Sequence, residues 1–450
     1  MESKEFLKVA AVSVVGAIPA AAQTGTPAKA KKEVRGNAIK GTTDAVKRFI
    51  ASTTLRDMPA NVVTEGKRCL IDNFGVLLAG STAEGSHILR QYAQKSTGAK
   101  EATVLGREPL ACSAAHAALA NAGSAHALDY DDTQLSTTPD RTFGLLTHPT
   151  TPAMSAALAV AERSGASGAA FLEAYLVGVE VECKMAEAKL MKLTEAQLAH
   201  MLAIAASLSA GIRVNFGSMS KPLNAARASE NGVFAAELAS HGFTGGDNGL
   251  DGQWGFFQVL GDGADLDRLV GKLGRTWSIV SPGVSFKPYP CGSLSHPSMD
   301  AMMKVVKDHD LKPDQIEAVR LRAGNNILEP LRYGIAKNEL EAKFSVPFLM
   351  SAVILTRRAG MREFTDEFDK IRSIVEVDLV DGRKLVQPSD DRYRGGPDNP
   401  FTREDLKAKF DDCAGLVLAQ NRLTPAFTAI ESVDSMADIR QLVRTLTART

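Results

Sequence analysis

The chain is 450 residues long, with 44% hydrophobic and 23% charged residues, a globular balance that excludes wholesale disorder and leaves room for more than one domain. Lys plus Arg number 52 and Asp plus Glu 52, a formal net charge of zero, so no global field of either sign favours nucleic acid or an anionic membrane. Cys69, Cys112, Cys183, Cys291 and Cys413 are scattered without a C-x-x-C pair. That spacing excludes a disulfide framework, a zinc ribbon and a Cys-ligated iron–sulfur cluster, and leaves the five as small apolar side chains.

In chain order, a charged start (residues 1–8), an apolar run (9–22) and the small-residue site Ala20-Ala21-Ala22-Gln23 predict a secretory leader over 1–22. The run is too short for a stable membrane span. Export, to a bacterial periplasm, is the expectation, with a cytoplasmic location if the leader is not processed. Lys29, Lys31, Lys32, Arg35 and Lys40 against one Glu33 make residues 23–41 a basic flexible linker. Residues 42–280 read as helical. Apolar faces recur at three- and four-residue spacing over 62–78 and 150–163, and Thr194-Glu195-Ala196-Gln197 is a capping box that opens a further helix. The Gly-rich stretch 242–263 reads as an ordered loop, because no G-x-G-x-x-G follows a strand and there is no Walker lysine.

Near residue 281 the period changes to two. Val319, Leu321 and Ala323 alternate with arginines, Val375, Val377 and Leu379 alternate with acids, and Asp381-Gly382 predicts a hairpin turn. Thr402-Arg403-Glu404-Asp405 then caps a return to helix. The predicted fold is therefore mostly α: a large all-helical domain (42–280 and 402–450) with a smaller inserted α+β lid (281–401).

Three polar clusters are candidates for chemistry. The first is Asp129-Tyr130-Asp131-Asp132-Thr133, followed by His148 before a proline. The second is 213–217 leading to Ser220-Lys221-Pro222, and the third is Lys287-Pro288-Tyr289-Pro290-Cys291 leading to Ser295-His296-Pro297. Three carboxylates within four residues repel unless they share cations, protons or hydrogen bonds. The run lacks the glycine and the spaced glutamate of a calcium loop. Nothing else suggests a metal or an organic cofactor, and none is expected.

Five motifs in order, H-A-L-D-Y-D-D-T (126–133), T-H-P (147–149), N-F-G-S-M-S-K-P-L (215–223), K-P-Y-P-C-G-S-L-S-H-P (287–297) and E-A-K-F-S-V-P-F (341–348), resemble the MmgE/PrpD family. That family dehydrates 2-methylcitrate, decarboxylates cis-aconitate and epimerises iminodisuccinate. The resemblance implies a helical body with an α+β lid, a homodimer, and cofactor-independent acid–base chemistry on a small di- or tricarboxylate. It places Asp129, Thr133, His148, Lys221, Lys287 and Tyr333 around the cleft, with His296 beside them. Lys221 and Lys287 would bind carboxylates and stabilise charge, and His148 would move protons. Dehydration of a 2-methylcitrate-like acid is the leading expectation, epimerisation or decarboxylation the alternative. The chain departs from the family pattern at Asn224, where a histidine is usual, and at Ala226, where a glycine is common. Between Cys183 and Leu198 a few dozen residues are missing, among them a Gly-aromatic-His whose imidazole faces the cleft. A weakly active or non-catalytic carboxylate-binding relative is therefore a third reading.

Overall fold

The computed structural model describes residues 12–14, 41–95, 98–134, 147–181, 191, 193–209, 211–259, 273–356, 373–389 and 394–447. The chain is mostly α, with a small sheet in one part. The body is organised around the helix Ala114–His126, whose run of alanines is almost wholly buried. It packs against Ser220–Ser240, Thr150–Ser164, Ala60–Gly80 and Glu84–Gln94. Small side chains permit that crowding, and at Gly80 backbone leaves no room for a side chain. A Cβ on Gly80 would stand 1.9 Å from the Ser124 carbonyl oxygen, and one on Gly123 2.2 Å from Leu89. Gly80 thus lets the Ala60–Gly80 helix touch the last turn of Ala114–His126, where the candidate site begins.

The capping box at Thr194 and Gln197 forms and opens the helix Glu195–Ser207. The Gly-rich stretch, described to residue 259, is turn-rich, and its Asp251 accepts the backbone N–H groups of Gly41 and Thr42 at 2.8 Å. The chain's end returns to the body: Arg403–Ala414, capped by Thr402 and Asp405, and Gln420–Glu431 both pack on Ala60–Gly80. Among the described residues no helix is long and apolar enough to cross a membrane. Cys69, Cys112, Cys291 and Cys413 are buried and free, and Cys183 lies outside the described residues.

The second core belongs to a four-stranded sheet in the order β1 (Val12–Val14), β4 (Ile316–Ala323), β5 (Ser373–Leu379) and β6 (Lys384–Pro388). The remaining strands, β2 (Ala102–Val104) and β3 (Leu110–Cys112), form a separate pair in the body. β4 and β5 are antiparallel with Val319 opposite Val377 and Leu321 opposite Val375. These side chains face the helices His296–Asp308 and Val346–Thr356, and on the other face Arg320 pairs with Asp378 and Arg322 with Glu376. Alternation buries one face and charges the other. β1 pairs parallel with β4 through Val12, Ser13 and Val14, so part of the apolar run read as a leader lies against the sheet. Residues 1–11 and 15–40, the rest of the leader and most of the basic linker, lie outside the described residues.

Candidate active site

The site forms where Ala114–His126 ends. His126 closes the helix, and the chain reverses through Asp129, whose φ of 50° is in the left-handed region, a conformation that aspartate tolerates better than most residues. The turn sends Asp129, Asp131 and Asp132 into the interior, all essentially buried. The first turn of Thr150–Ser164 meets them: Thr151 donates its hydroxyl to Asp131 at 2.8 Å and Thr150 donates to Asp132. Lys221 arrives from the start of Ser220–Ser240 and Lys287 from the segment that leads into His296–Asp308. Both ammonium groups reach the same oxygen, Oδ1 of Asp129, at 2.7 and 2.6 Å, and Lys287 also donates to the Asp129 carbonyl at 2.8 Å.

A second network joins this one. Asp131 accepts Nδ1 of His126 at 2.8 and 2.9 Å and lies 3.1 Å from Nδ1 of His148. The imidazoles meet edge to face, 4.2 Å between centroids. Nδ1 of His148 also donates to the Asp132 carbonyl at 3.0 Å. Because carboxylate and carbonyl oxygens only accept, they fix both rings as the Nδ1–H tautomer and leave each Nε2 a lone pair. That of His126 is spent on Lys221 at 2.7 Å. That of His148 is the unspent one among the described residues, 4.0 Å from the Asp129 oxygen that holds both lysines.

Burial opposes ionisation of Asp129, but Lys221 and Lys287 overcome it and hold the carboxyl well below its usual range. For Asp131 burial is again opposed, here by the two imidazoles, and the group is likewise held low. For Asp132 burial outweighs the Thr150 hydroxyl and the Lys409 charge and, with Asp72 and Asp131 nearby, pushes it well above the usual carboxylate range. Burial lowers His126, and lowers His148 to about 3 against the attraction of Asp131. Lys221 is lowered by burial, with Asp129 pulling the other way. The site thus holds two carboxylates biased towards ionisation, one carboxyl biased towards its protonated form and two imidazoles biased towards neutrality.

Asp129, His148, Lys221 and Lys287 thus come together as one constellation. Thr133 lies beside it, its backbone bridged to Ser285 and its hydroxyl buried without a hydrogen-bond partner among the described residues. Tyr333 does not join the network. Its hydroxyl donates to the Phe216 carbonyl at 2.8 Å, and its ring packs on Gly217. It meets the cluster only through Phe216, whose ring lies under Lys221 at 5.4 Å. His296 is also outside it: Nε2 donates to the Cys291 carbonyl at 3.2 Å, the ring stands edge-on to Tyr289, and burial lowers it to about 3. Sequence reasoning missed the roles of His126 and Asp131, although both stand in the H-A-L-D-Y-D-D motif. It also missed Lys343, at the end of the short helix Glu339–Ala342, whose ammonium reaches the Ala127 carbonyl at 3.3 Å.

His126, Asp129, Asp131 and His148 offer ligand atoms within 4.8 Å of one another, the dimensions of a metal centre. Their partners argue otherwise. Asp129 already carries two ammonium groups and both Nδ1 atoms face Asp131, so the arrangement suits an anion beside a proton acceptor better than a metal cation. The missing family segment falls at 184–193, of which only residues 191 and 193 are described.

The MmgE/PrpD N-terminal domain matches residues 44–189 and 185–269, and the MmgE/PrpD C-terminal domain matches residues 289–372. Cis-aconitate decarboxylase of Mus musculus is 25% identical over 473 residues, covering 91% of this chain and 94% of that protein. Cis-aconitate decarboxylase of Homo sapiens is 24% identical over 469 residues, covering 91% of this chain and 95% of that protein. Both alignments are longer than this chain, which therefore carries gaps against them. The two pieces of the N-terminal match meet inside the shortened stretch.

Proposed function

We propose, from the premise that this chain belongs to the MmgE/PrpD family, that it is a cofactor-independent lyase of a small polycarboxylate, with decarboxylation of a cis-aconitate-like acid as its reaction. The observation that carries the reading is the pairing of one unspent imidazole nitrogen, His148 Nε2, with two ammonium groups gathered on Asp129. Substrate carboxylates would share Lys221 and Lys287 with Asp129, in a cleft whose burial strengthens each contact. A polyanion next to His148 raises its proton affinity from the resting state, and Asp131 steadies the imidazolium at Nδ1. When the C–C bond to the departing carboxylate breaks, its electron pair passes into the conjugated carboxylate system and carbon dioxide leaves. The imidazolium then delivers one proton to the far carbon of that system. One proton is consumed for each carbon dioxide released, which matches one available imidazole.

Dehydration of a 2-methylcitrate-like acid, the reaction expected from the motifs, needs a proton taken from carbon and another given to the leaving hydroxyl. It is the second outcome of the same experiment. The purified protein is incubated in deuterated water with cis-aconitate, 2-methylcitrate and iminodisuccinate, and followed by proton NMR. Carbon dioxide release with one deuterium in the product supports decarboxylation. An unsaturated product without carbon dioxide supports dehydration, and exchange without net conversion supports epimerisation. Tricarboxylate binding without exchange points to a non-catalytic relative, and neither turnover nor binding sinks the reading. Unchanged activity after chelation and dialysis is expected, and a loss restored by one divalent metal would recast the four-residue cluster as ligands. The dimer and the export expected from the sequence belong to the same proposal, and are checked by light scattering and by N-terminal sequencing of the mature protein.

A further inference from the structure

Behind the Asp129–Asp131 turn lies a buried ion pair that the chemistry above does not use. Lys409, on Arg403–Ala414, places Nζ 2.6 Å from Oδ1 of Asp72, on Ala60–Gly80. The same ammonium donates to the Tyr130 carbonyl at 2.9 Å and stands 4.0 Å from the centroid of the Tyr130 ring. At its other end the Tyr130 hydroxyl donates to the Pro288 carbonyl at 3.3 Å, next in sequence to Lys287. Tyr130, flanked by the two ionised aspartates, is therefore held at its carbonyl and ring face by Lys409 and at its hydroxyl by the loop that carries the second ammonium. Lys409 and Asp72 are buried, at 7% and 2% exposure. A buried ion pair is a poor source of stability compared with apolar side chains of the same size, and what this one supplies is geometry. Lys409 also lies beyond both family-matched segments, which end at 269 and 372.

We propose that Lys409 and Asp72 are positioning residues of the site: acting through Tyr130, they fix Asp129, Asp131 and Lys287 in register and make the C-terminal helix part of the active-site frame. The kinetic side of this proposal rests on the functional reading above. Lys409→Met alone strands a buried carboxylate and risks the fold, so the test is the neutral pair Asp72→Asn/Lys409→Met, with Tyr130→Phe removing only the link to Pro288. In the double variant kcat on cis-aconitate, or on whichever acid is turned over, should fall about 10- to 100-fold with KM changed less than about threefold. Tyr130→Phe should show a smaller loss of the same kind. Lys409→Arg, which keeps a cation on Asp72 and over the ring, should recover most of it.

A second readout needs no substrate. His148 is faced by Asp129, Asp131, His126 and Lys221, and its ring signals should stay fixed between about pH 8 and pH 5 in the wild type. In the double variant they should begin to titrate there, as the loosened turn admits water. A folded double variant with wild-type kcat and KM and unmoved ring signals overturns the proposal. Should the wild type turn over none of the acids, it is the functional reading that fails. The ring titration then decides alone: movement in the variant supports the positioning role, and no movement overturns it.

Discussion

Asp131→Asn tests the electrostatic logic of the site at its centre. The wild-type carboxylate accepts Nδ1 of His126 and the Thr151 hydroxyl at 2.8 Å, lies 3.1 Å from Nδ1 of His148, which also donates to the Asp132 carbonyl at 3.0 Å, and is fully buried. Three donors converge on one acceptor group, and an amide replaces half of that group with a donor. The imidazole that meets the new NH2 must present a lone pair at Nδ1 and carry its proton on Nε2. If that ring is His126, its Nε2–H confronts the Lys221 ammonium now 2.7 Å away. If it is His148, the ring either turns from the amide to keep its Nδ1–H on the Asp132 carbonyl or loses the Nε2 lone pair. Either way the imidazolium also loses its counter-charge. A wrong tautomer or a turned ring, together with the lost charge, costs about 10²–10⁴-fold in kcat, which corresponds to about 3–5 kcal/mol of transition-state stabilisation. Stability should fall by less, about 2–3 kcal/mol, since one neutral hydrogen bond survives on the amide oxygen. The assay is turnover in deuterated water together with nitrogen-15 shifts of the ring atoms, which report the tautomer directly. An Asn variant that keeps kcat within about threefold, or both rings still Nδ1–H with unshifted Nε2, refutes the reasoning.

His148→Ala should lower turnover by about 10²–10⁴-fold while the melting temperature moves only a few degrees, because the side chain is 19% exposed at a loop–helix junction; full turnover with a collapsed melting temperature would make it structural. His296 is held at about 3 in the fold against 6.5 when exposed, so its neutral form contributes full stability above about pH 6.5 and that contribution is lost as pH falls towards 3. Compared with His296→Gln, which can still donate to the Cys291 carbonyl, the wild type should therefore lose about 2 kcal/mol more between pH 7.5 and pH 5 in chemical denaturation; equal losses would mean that His296 is not buried neutral. Grafting the corresponding segment of a longer relative between Cys183 and Thr194 should raise turnover at least tenfold if the missing histidine and helices limit the site. Native turnover already equal to the relative's would show that the short form is complete.

The elements were legible because their signals are local. Thr194 with Gln197, Thr402 with Asp405 and the Asp381-Gly382 turn act within a few residues, and the alternation of 319–323 and 375–379 follows directly from the two faces of a sheet. Asp129, His148, Lys221 and Lys287 could be picked out as motif residues, but their order of contact could not. That order depends on a left-handed turn at Asp129, which folds Asp131 back onto His126 and opens Asp129 to two lysines from different elements. His126 read as an ordinary histidine at a helix end because its partner lies across that turn. Lys409 and Asp72 carry no local signal whatever, being brought together only when the C-terminal helix packs on Ala60–Gly80. For Tyr333 and His296 motif membership located the residue but not its direction: each spends its donor on a backbone carbonyl, of Phe216 and of Cys291.

Asp129, Asp131 and Asp132 illustrate how far environment outweighs residue type. In sequence they are a single acidic patch that resembles a cation site. In the fold Asp129 is neutralised by ammonium groups, Asp131 meets N–H and O–H donors, and Asp132, offered one hydroxyl, is pushed by burial towards its protonated form. The fixed positive charge of the cleft is thereby balanced inside the protein rather than by an ion from solution. Burial is the main reason why His148 rests at about 3, and the charge balance does not undo it, because His126 and Lys221 oppose the attraction of Asp131. A monocarboxylate entering the cleft would cancel one ammonium and change this little. A tricarboxylate brings more negative charge than Lys221 and Lys287 can cancel, and the excess falls on the ring that must become an imidazolium. Each increment of one unit in the proton affinity of His148 is about 1.4 kcal/mol of coupling between substrate charge and catalytic protonation. Selection for polycarboxylates would therefore operate at the proton-transfer step as well as at binding.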